Sequence, residues 1–216
     1  MKSFLSKALT ENGHHFSPMI EQHILAYLDL LTQWNRVFNL TAIRDPNEMV
    51  MRHIVDSLSI KKYLHGDRVI DVGSGAGLPG IPLALAEPQK EFVLLDSSQK
   101  KTRFLTQAVY ELSLKNVTVV HARAECFHPA QGFDSIITRA LASLKDMLLA
   151  TRHLLNEQGQ FLAMKGVYPL EEIKDIPDEF TLLSVHELKL QGLDAKRHLV
   201  CIKVKGALRG ENNRDR

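Results

Sequence analysis

At 216 residues, with a formal charge of +2 and 44% hydrophobic residues, the chain is long enough to bury one α/β domain with an appendage of helices. That charge and a pI near 8.5 do not by themselves establish nucleic-acid binding, no apolar run approaches membrane-spanning length, and Met1-Lys2-Ser3-Phe4-Leu5-Ser6-Lys7 lacks the apolar core of a signal peptide. Two cysteines, Cys126 and Cys201, without a C-x-x-C argue against a disulfide framework and fit a reducing cytoplasm; the ten histidines show no metal-ligand spacing.

The first sixty residues read as helices. Ser17 caps a helix starting at Pro18, and Ile20, Ile24, Tyr27, Leu28, Leu31, Trp34 and Phe38 keep a helical period on one face. Asp45, Pro46 and Glu48 have capping-box spacing and open a second helix that runs towards Leu64 and is ended by His65-Gly66-Asp67. From Arg68 onward strands and helices alternate, with strands at 69–72, 91–96, 117–121, 133–138 and 159–164 and helices at 81–86, 101–114, 144–155 and 169–176. Two last strands, 181–190 and 197–205, join around Gly192. This alternation predicts an α/β, Rossmann-like fold: a mostly parallel sheet with helices on both faces, an antiparallel C-terminal edge and an N-terminal helical extension. The expected organisation is the helical extension at 1–66, a ligand-binding domain at 67–206 and a flexible basic tail at 207–216.

The stretch Asp71-Val72-Gly73-Ser74-Gly75-Ala76-Gly77-Leu78-Pro79-Gly80 ends the first strand, turns sharply and opens a helix. Glycine permits positive φ and close approach of a ligand, and a new helix offers unpaired N–H groups. Gly75, Gly77 and Gly80 satisfy G-x-G-x-x-G, the dinucleotide fingerprint, which admits a nicotinamide-dependent oxidoreductase. Asp71 argues against that reading, because a carboxylate two residues before Gly73 repels a pyrophosphate. It suits an ammonium, which S-adenosylmethionine carries on its methionine end. The pattern D-x-G-x-G-x-G resembles the first motif of class I methyltransferases and puts Asp71, Gly73, Ser74 and Gly75 at the cofactor.

Ligands of open α/β sheets lie at the carboxyl ends of the strands. Asp96 ends the second strand, where an acid receives ribose hydroxyls. After the third strand, Ala124 and Glu125 suit an adenine ring and its amino group. Arg139 follows the fourth strand and can clamp a carboxylate or phosphate; Lys165 follows the fifth and faces the same crevice.

Further motifs run over nearly the whole length: Trp34-Asn35 with Phe38-Asn39-Leu40-Thr41, Arg52-His53 with Asp56-Ser57, DVGSGAGLPG, LLDSSQKK, RAE, TRA, MKG and RHLV. On these the chain resembles the bacterial ribosomal small-subunit methyltransferase G family, also called glucose-inhibited division protein B. The resemblance implies a class I methyltransferase fold, S-adenosyl-L-methionine as cofactor, and methylation of N7 of one guanine in the 530 loop of 16S ribosomal RNA. It implies that RNA, or a small-subunit ribosomal particle, as partner. It carries cofactor positions onto Gly73, Leu78, Ala124, Glu125 and Arg139.

Motifs the chain lacks narrow the nucleophile. Neither cysteine lies in the Pro-Cys motif needed for pyrimidine C5, and Thr138-Arg139-Ala140 stands where amino-group methyltransferases carry an N-P-P-Y-type motif. Guanine N7 has a lone pair and no proton to lose, so no catalytic acid or base is expected and positioning carries the catalysis. In A-form RNA N7 lies in a narrow groove, so an unpaired or flipped guanine is the expected target. Asn35, Asn39, His53 and Asp56 are candidates for shaping its pocket; Asn39 and His53 are those expected to meet substrate. Arg123, Lys165 and Arg197 are candidates for RNA contacts or, equally, for local ion pairs. Residues 189–216 hold eight basic and three acidic residues, a balance compatible with phosphate contacts. The expectation is a cytoplasmic monomer that needs neither membrane nor metal. A non-enzymatic ribosome-assembly factor that keeps the fold is the other alternative.

Overall fold

The computed structural model describes residues 1–140 and 142–206; the tail expected at 207–216 lies outside the described residues. Helix α1 (Lys2–Glu11) buries Leu5, Ala8 and Leu9, spaced i, i+3, i+4. Helix α2 (Pro18–Phe38) starts as its signals predict, with Ser17 Oγ accepting from the Ile20 N–H and Pro18 in the first turn. It stops at Asn39, whose φ of 48° is left-handed, a conformation asparagine tolerates better than most residues. Asp45 accepts from the N–H groups of Asn47 and Glu48 and so caps α3 (Pro46–Met49). The single helix expected towards Leu64 is in fact broken up. A π-helical segment, Val50–Val55, follows α3, then α4 (Asp56–Leu58) and a 3-10 turn at Lys61–Tyr63.

The remaining elements are β1 (Arg68–Val72), α5 (Gly80–Ala86), β2 (Glu91–Asp96), α6 (Gln99–Glu111), β3 (Val117–His121), β4 (Phe133–Arg139), α7 (Leu144–Thr151), β5 (Leu155–Lys165), α8 (Leu170–Lys174), β6 (Phe180–Glu187) and β7 (His198–Val204). They form one seven-stranded sheet in the order β3-β2-β1-β4-β5-β7-β6. Strands β1 to β5 are parallel, and β7 runs antiparallel between β5 and β6. The strand order reverses between β1 and β4, which opens a crevice at their carboxyl ends. The helix expected over 144–155 runs as α7 to Thr151 and tightens to a 3-10 turn over Arg152–Leu154, and Leu155 pairs with Phe133 as the first residue of β5. The register shifts just beyond that pair, and a Cβ at Gly159 would stand 2.7 Å from the Phe133 carbonyl oxygen, so the strand passes there only as glycine.

Side-chain alternation along β1 divides the core. Val69 joins a cluster with Leu83, Phe104 and Leu105 of α5 and α6, while Ile70 and Val72 join Leu144, Met147 and Leu148 of α7 on the other face. Leu5, Leu9, Ile24, Leu28, Leu31 and Ile54 belong to the first cluster, so the N-terminal helices are built into one face of the sheet. No helix among the described residues is long and apolar enough to cross a membrane.

Asp71 alternates onto the same face as Val69 and lies under α5. A Cβ added at Gly80 would meet Leu94 Cδ2 and come within 2.7 Å of Asp71 Oδ2, both groups being buried. Gly80→Ala is expected to lower stability by about 1–3 kcal/mol through overpacking. Gly166→Ala, with nothing within 4 Å of the added carbon, should stay within about 0.5 kcal/mol of the parent. Urea denaturation midpoints check the pair, and equal midpoints would remove the steric account of Gly80.

Candidate functional site

The loop after β1 is held from three sides. Gly73, Gly75 and Gly77 take φ of 72°, 61° and 85°, which lets the chain fold back over the end of β1. From beneath, Asp71 Oδ2 accepts from the Ser74 hydroxyl (2.7 Å) and from the Gly80 N–H (2.9 Å). From the N-terminal helices, the buried Tyr27 hydroxyl donates to the Ala76 carbonyl (2.6 Å). From β2, Asp96 Oδ2 accepts from the Gly75 N–H (2.9 Å). A Cβ at Gly75 would have no neighbour closer than 3.8 Å, so this glycine lies on the open side of the loop.

Two expected roles change with this geometry. Asp71 is fully buried and Ser74 nearly so; both lie under the loop and brace it, so neither presents a side chain to a ligand on its outer surface. Asp71 Oδ1 has no partner among the described residues. Burial pushes the Asp71 carboxyl up to about 6, against the opposing pull of Ser74, Gly80 and the Arg139 charge. Leu78, carried over as a cofactor residue, packs in the core behind the loop, its N–H bonded to Ser74 O (3.0 Å).

A cavity of about 470 Å³ opens in front of the loop, and Gly73, Asp96, Ala124 and Glu125, four of the residues expected at the cofactor, line it. Asp96 Oδ1 accepts from the Ser98 N–H (2.8 Å), and Lys101 Nζ stands 3.5 Å from Oδ2. A carboxylate has about four acceptor positions, so two hydroxyls can still be received. Arg123, a candidate for RNA contact or a local ion pair, lines this cavity too and is exposed. The far wall comes from Asp146 and Met147 of α7, which the strand-end rule had no means to single out.

A second cavity, of about 360 Å³, lies beside the first, and Ala140 borders both. Ala140 has φ of 52°, a left-handed conformation that costs a non-glycine residue energy and often marks a functional turn. Here the side chains expected to meet RNA are tied down. Asp56, almost fully buried, receives Arg197 Nε on Oδ1 (2.7 Å) and Arg139 Nη1 on Oδ2 (3.2 Å). Arg139 also donates to the Arg52 carbonyl (3.2 Å), which turns it away from the cofactor cavity and into this one. Lys165 Nζ pairs with Glu172 Oε2 (2.8 Å) and donates to Ala142 O (3.3 Å). For Arg197 and Lys165 the ion-pair alternative is therefore the one the geometry realises.

His53 lines the same cavity and is 3% exposed. Its Nε2 is 3.0 Å from Thr41 Oγ1, and Thr41 N–H in turn donates to Asn35 Oδ1 (2.9 Å). The Ser57 hydroxyl donates to the His53 carbonyl. Its Nδ1 is buried with no partner among the described residues. Burial, and next the Arg139 charge, push His53 down to about 4, so the ring is neutral at physiological pH. Asn39, expected at the substrate, is instead the exposed cap of α2 and borders neither cavity. Among the described residues no three His, Cys, Asp or Glu side chains are grouped to hold a metal ion.

Comparison with known proteins bears on this arrangement at two levels. Among solved structures, a SAM-dependent methyltransferase from Aquifex aeolicus superposes with a TM-score of 0.59 at 17% identity, covering 77% of this chain and 97% of that one. Fibrillarin from Aeropyrum pernix with bound S-adenosyl-L-methionine gives 0.52 at 16% identity, over 64% of this chain and 67% of the other. At such identities the likeness shows the fold, that of class I methyltransferases. Two curated relatives are far nearer. The ribosomal RNA small subunit methyltransferase G of Idiomarina loihiensis is 51% identical over 202 residues, 94% of this chain and 98% of that protein. Its Pseudomonas aeruginosa counterpart is 48% identical over 200 residues, 92% and 94% of the two. The family model described as rRNA small subunit methyltransferase G matches residues 20–200, so nearly the whole of the fold and both cavities fall within it, and the chain belongs to that family.

Proposed function

We propose that this protein transfers the methyl group of S-adenosylmethionine to N7 of a guanine in the 530 loop of 16S ribosomal RNA. The observation that carries the reading is the pair of adjoining cavities, one walled by Asp96 and the glycine loop, the other by His53 and the Asp56-centred arginine pair. The residues fit the cofactor. The open side of Gly75 admits close approach, Asp96 keeps acceptor capacity for ribose hydroxyls, and Glu125 is an exposed acceptor beside Ala124 for an adenine amino group. The unpartnered Oδ1 of Asp71 places negative charge beneath the loop, where it favours a cationic ligand above. Bound there, S-adenosylmethionine supplies an electrophilic methyl on a sulfonium.

The chain's own residues orient and exclude water. In this reading the second cavity receives the flipped guanine. Its polar groups are fixed before the base arrives: Asp56 holds both guanidinium groups, and Thr41 Oγ1 holds the His53 ring at Nε2. Fixed groups need not reorganise in the transition state. N7 requires no deprotonation, and a His53 held neutral by burial fits a hydrogen-bonding rather than a proton-transfer role. Mapping N7-methylguanine in 16S RNA from cells with and without the protein tests the proposal.

Two further outcomes are expected. Asp96→Ala should weaken S-adenosylmethionine binding by about 2–4 kcal/mol, from two charge-assisted bonds of ~1.5–3 kcal/mol each with partial replacement by water. Asp96→Asn, which keeps one acceptor oxygen, should lose less. Calorimetry on folded variants decides, and parental affinity in the alanine variant would remove Asp96 from the site.

The second outcome concerns pH. Asp71 has its carboxyl raised to about 6, and a cationic ligand favours the ionised form, so binding below that value releases a proton. Cofactor affinity should therefore fall as pH drops from 7 towards 5 and level off above 7. Single-turnover methylation at saturating cofactor should stay roughly flat between about pH 6.5 and 8, because neither N7 nor His53 titrates there. A tenfold rise per pH unit in that window would reveal an essential base and a different target atom.

A further inference from the structure

Three large apolar side chains stand out between the end of β5 and the first residue of α8. Val167, Tyr168 and Leu170 are 71%, 51% and 53% exposed, within four residues, while Met19, Val37, Tyr110 and Leu149 are exposed singly elsewhere. The loop is not loose. His198, itself buried, hydrogen-bonds the Gly166 carbonyl through Nδ1 (3.0 Å), and its ring meets that of Tyr168 edge to face at 5.6 Å and 89°. Pro169 is buried, and the Leu170 N–H returns to the Tyr168 carbonyl (3.0 Å). A fixed aromatic ring is thus held with half its surface in solvent.

Its position gives that exposure a meaning. Lys165 and Gly166, immediately before it, line the second cavity, and so does Arg197, next to the His198 that props the ring. Lys165 and Arg197 are themselves held in ion pairs, and Lys196, exposed, adds a cation to this side. Of the nearby acids, Glu172 is engaged by Lys165 and the Leu144 N–H, while Glu171 pairs with Lys174 on the surface. An exposed ring at the edge of a basic groove is one way single-stranded nucleic acid is gripped, since every base offers a π-face. A base drawn out of its stack also leaves its neighbours without a stacking partner, and a side chain at the pocket mouth can replace it.

We propose that residues 166–170 form a stacking lip for an unpaired nucleotide next to the target guanine, with Tyr168 as the stacking ring and Val167 and Leu170 as its apolar flanks. This rests on the RNA reading above and adds the element that keeps the strand open. The test uses a synthetic RNA with the sequence of the 530 loop and 2-aminopurine placed, in turn, at each nucleotide flanking the target. Parent and Tyr168→Phe should quench the fluorescence at one flank. Tyr168→Ala should lose that quenching and bind RNA about tenfold more weakly, and all three should bind S-adenosylmethionine alike. If the parent binds and methylates this RNA while Tyr168→Ala matches it in affinity and quenching, the lip is wrong and the RNA reading stands. Loss seen only with an assembled small-subunit particle, and not with the RNA, also overturns the lip and points to a protein contact. A parent that neither binds nor methylates either substrate overturns the RNA reading and the lip with it.

Discussion

The carboxylate of Asp71 is the constraint around which the ligand-facing half of the molecule is arranged. Strand alternation drives it into the face shared with α5, where no water reaches it. A buried charge is tolerable only with donors, and the Ser74 hydroxyl and Gly80 N–H supply them. Meeting both requires the chain to circle back within nine residues, which the positive-φ glycines at 73, 75 and 77 permit. Gly80 must then be small enough for α5 to begin directly over the carboxylate. The loop is therefore a fold around an anion, and its ligand surface is what remains outside.

The N-terminal helices complete the site rather than append to it. Tyr27 braces the loop at Ala76, and its hydroxyl is so desolvated that ionisation is driven well above its ordinary range. Asn35 holds the Thr41 N–H, and Thr41 holds His53. Val50–Val55, which carries Arg52 and His53, is π-helical, a wider winding that shifts side chains relative to an α-helix and recurs at functional sites. Asp56 follows at once and gathers Arg139 from β4 and Arg197 from the residue before β7. Three distant parts of the chain thus converge on one carboxylate. Removing it would leave two guanidinium groups without their partner at the mouth of the pocket.

Much of this was legible in the sequence, for physical reasons that differ from part to part. The caps at Ser17 and Asp45, the alternation from Arg68 onward and the glycine loop are local signals, and the elements follow them. Asp96, Ala124 and Glu125 gather at one cavity because strand ends of a parallel sheet must. The π-helical turn left no local mark, since its hydrophobic pattern passes for an α-helix. The direction of Asp71 depended on which face of β1 met α5, and the engagement of Arg139, Arg197 and Lys165 depended on acids 83, 141 and 7 residues away. The early start of β5 rested on a register shift beside Phe133, again a pairing between distant residues.

On the proposed transfer to N7, the separation of the two cavities bears on chemistry that would need no base. If proton transfer were limiting, the mouth would be expected to hold a group titrating near neutrality, but the histidine there is pushed down to about 4 by burial and by Arg139. What the chain provides is alignment. Ala140 borders both cavities in a left-handed conformation that an alanine adopts only when its surroundings impose it. On one side β4 delivers Arg139 to Asp56, and on the other the loop is tied to Asp96. On the proposed function, an in-line transfer needs donor and acceptor in direct contact, so the corner at Ala140 would serve as a fixed edge shared by the two cavities and leave the line between them open.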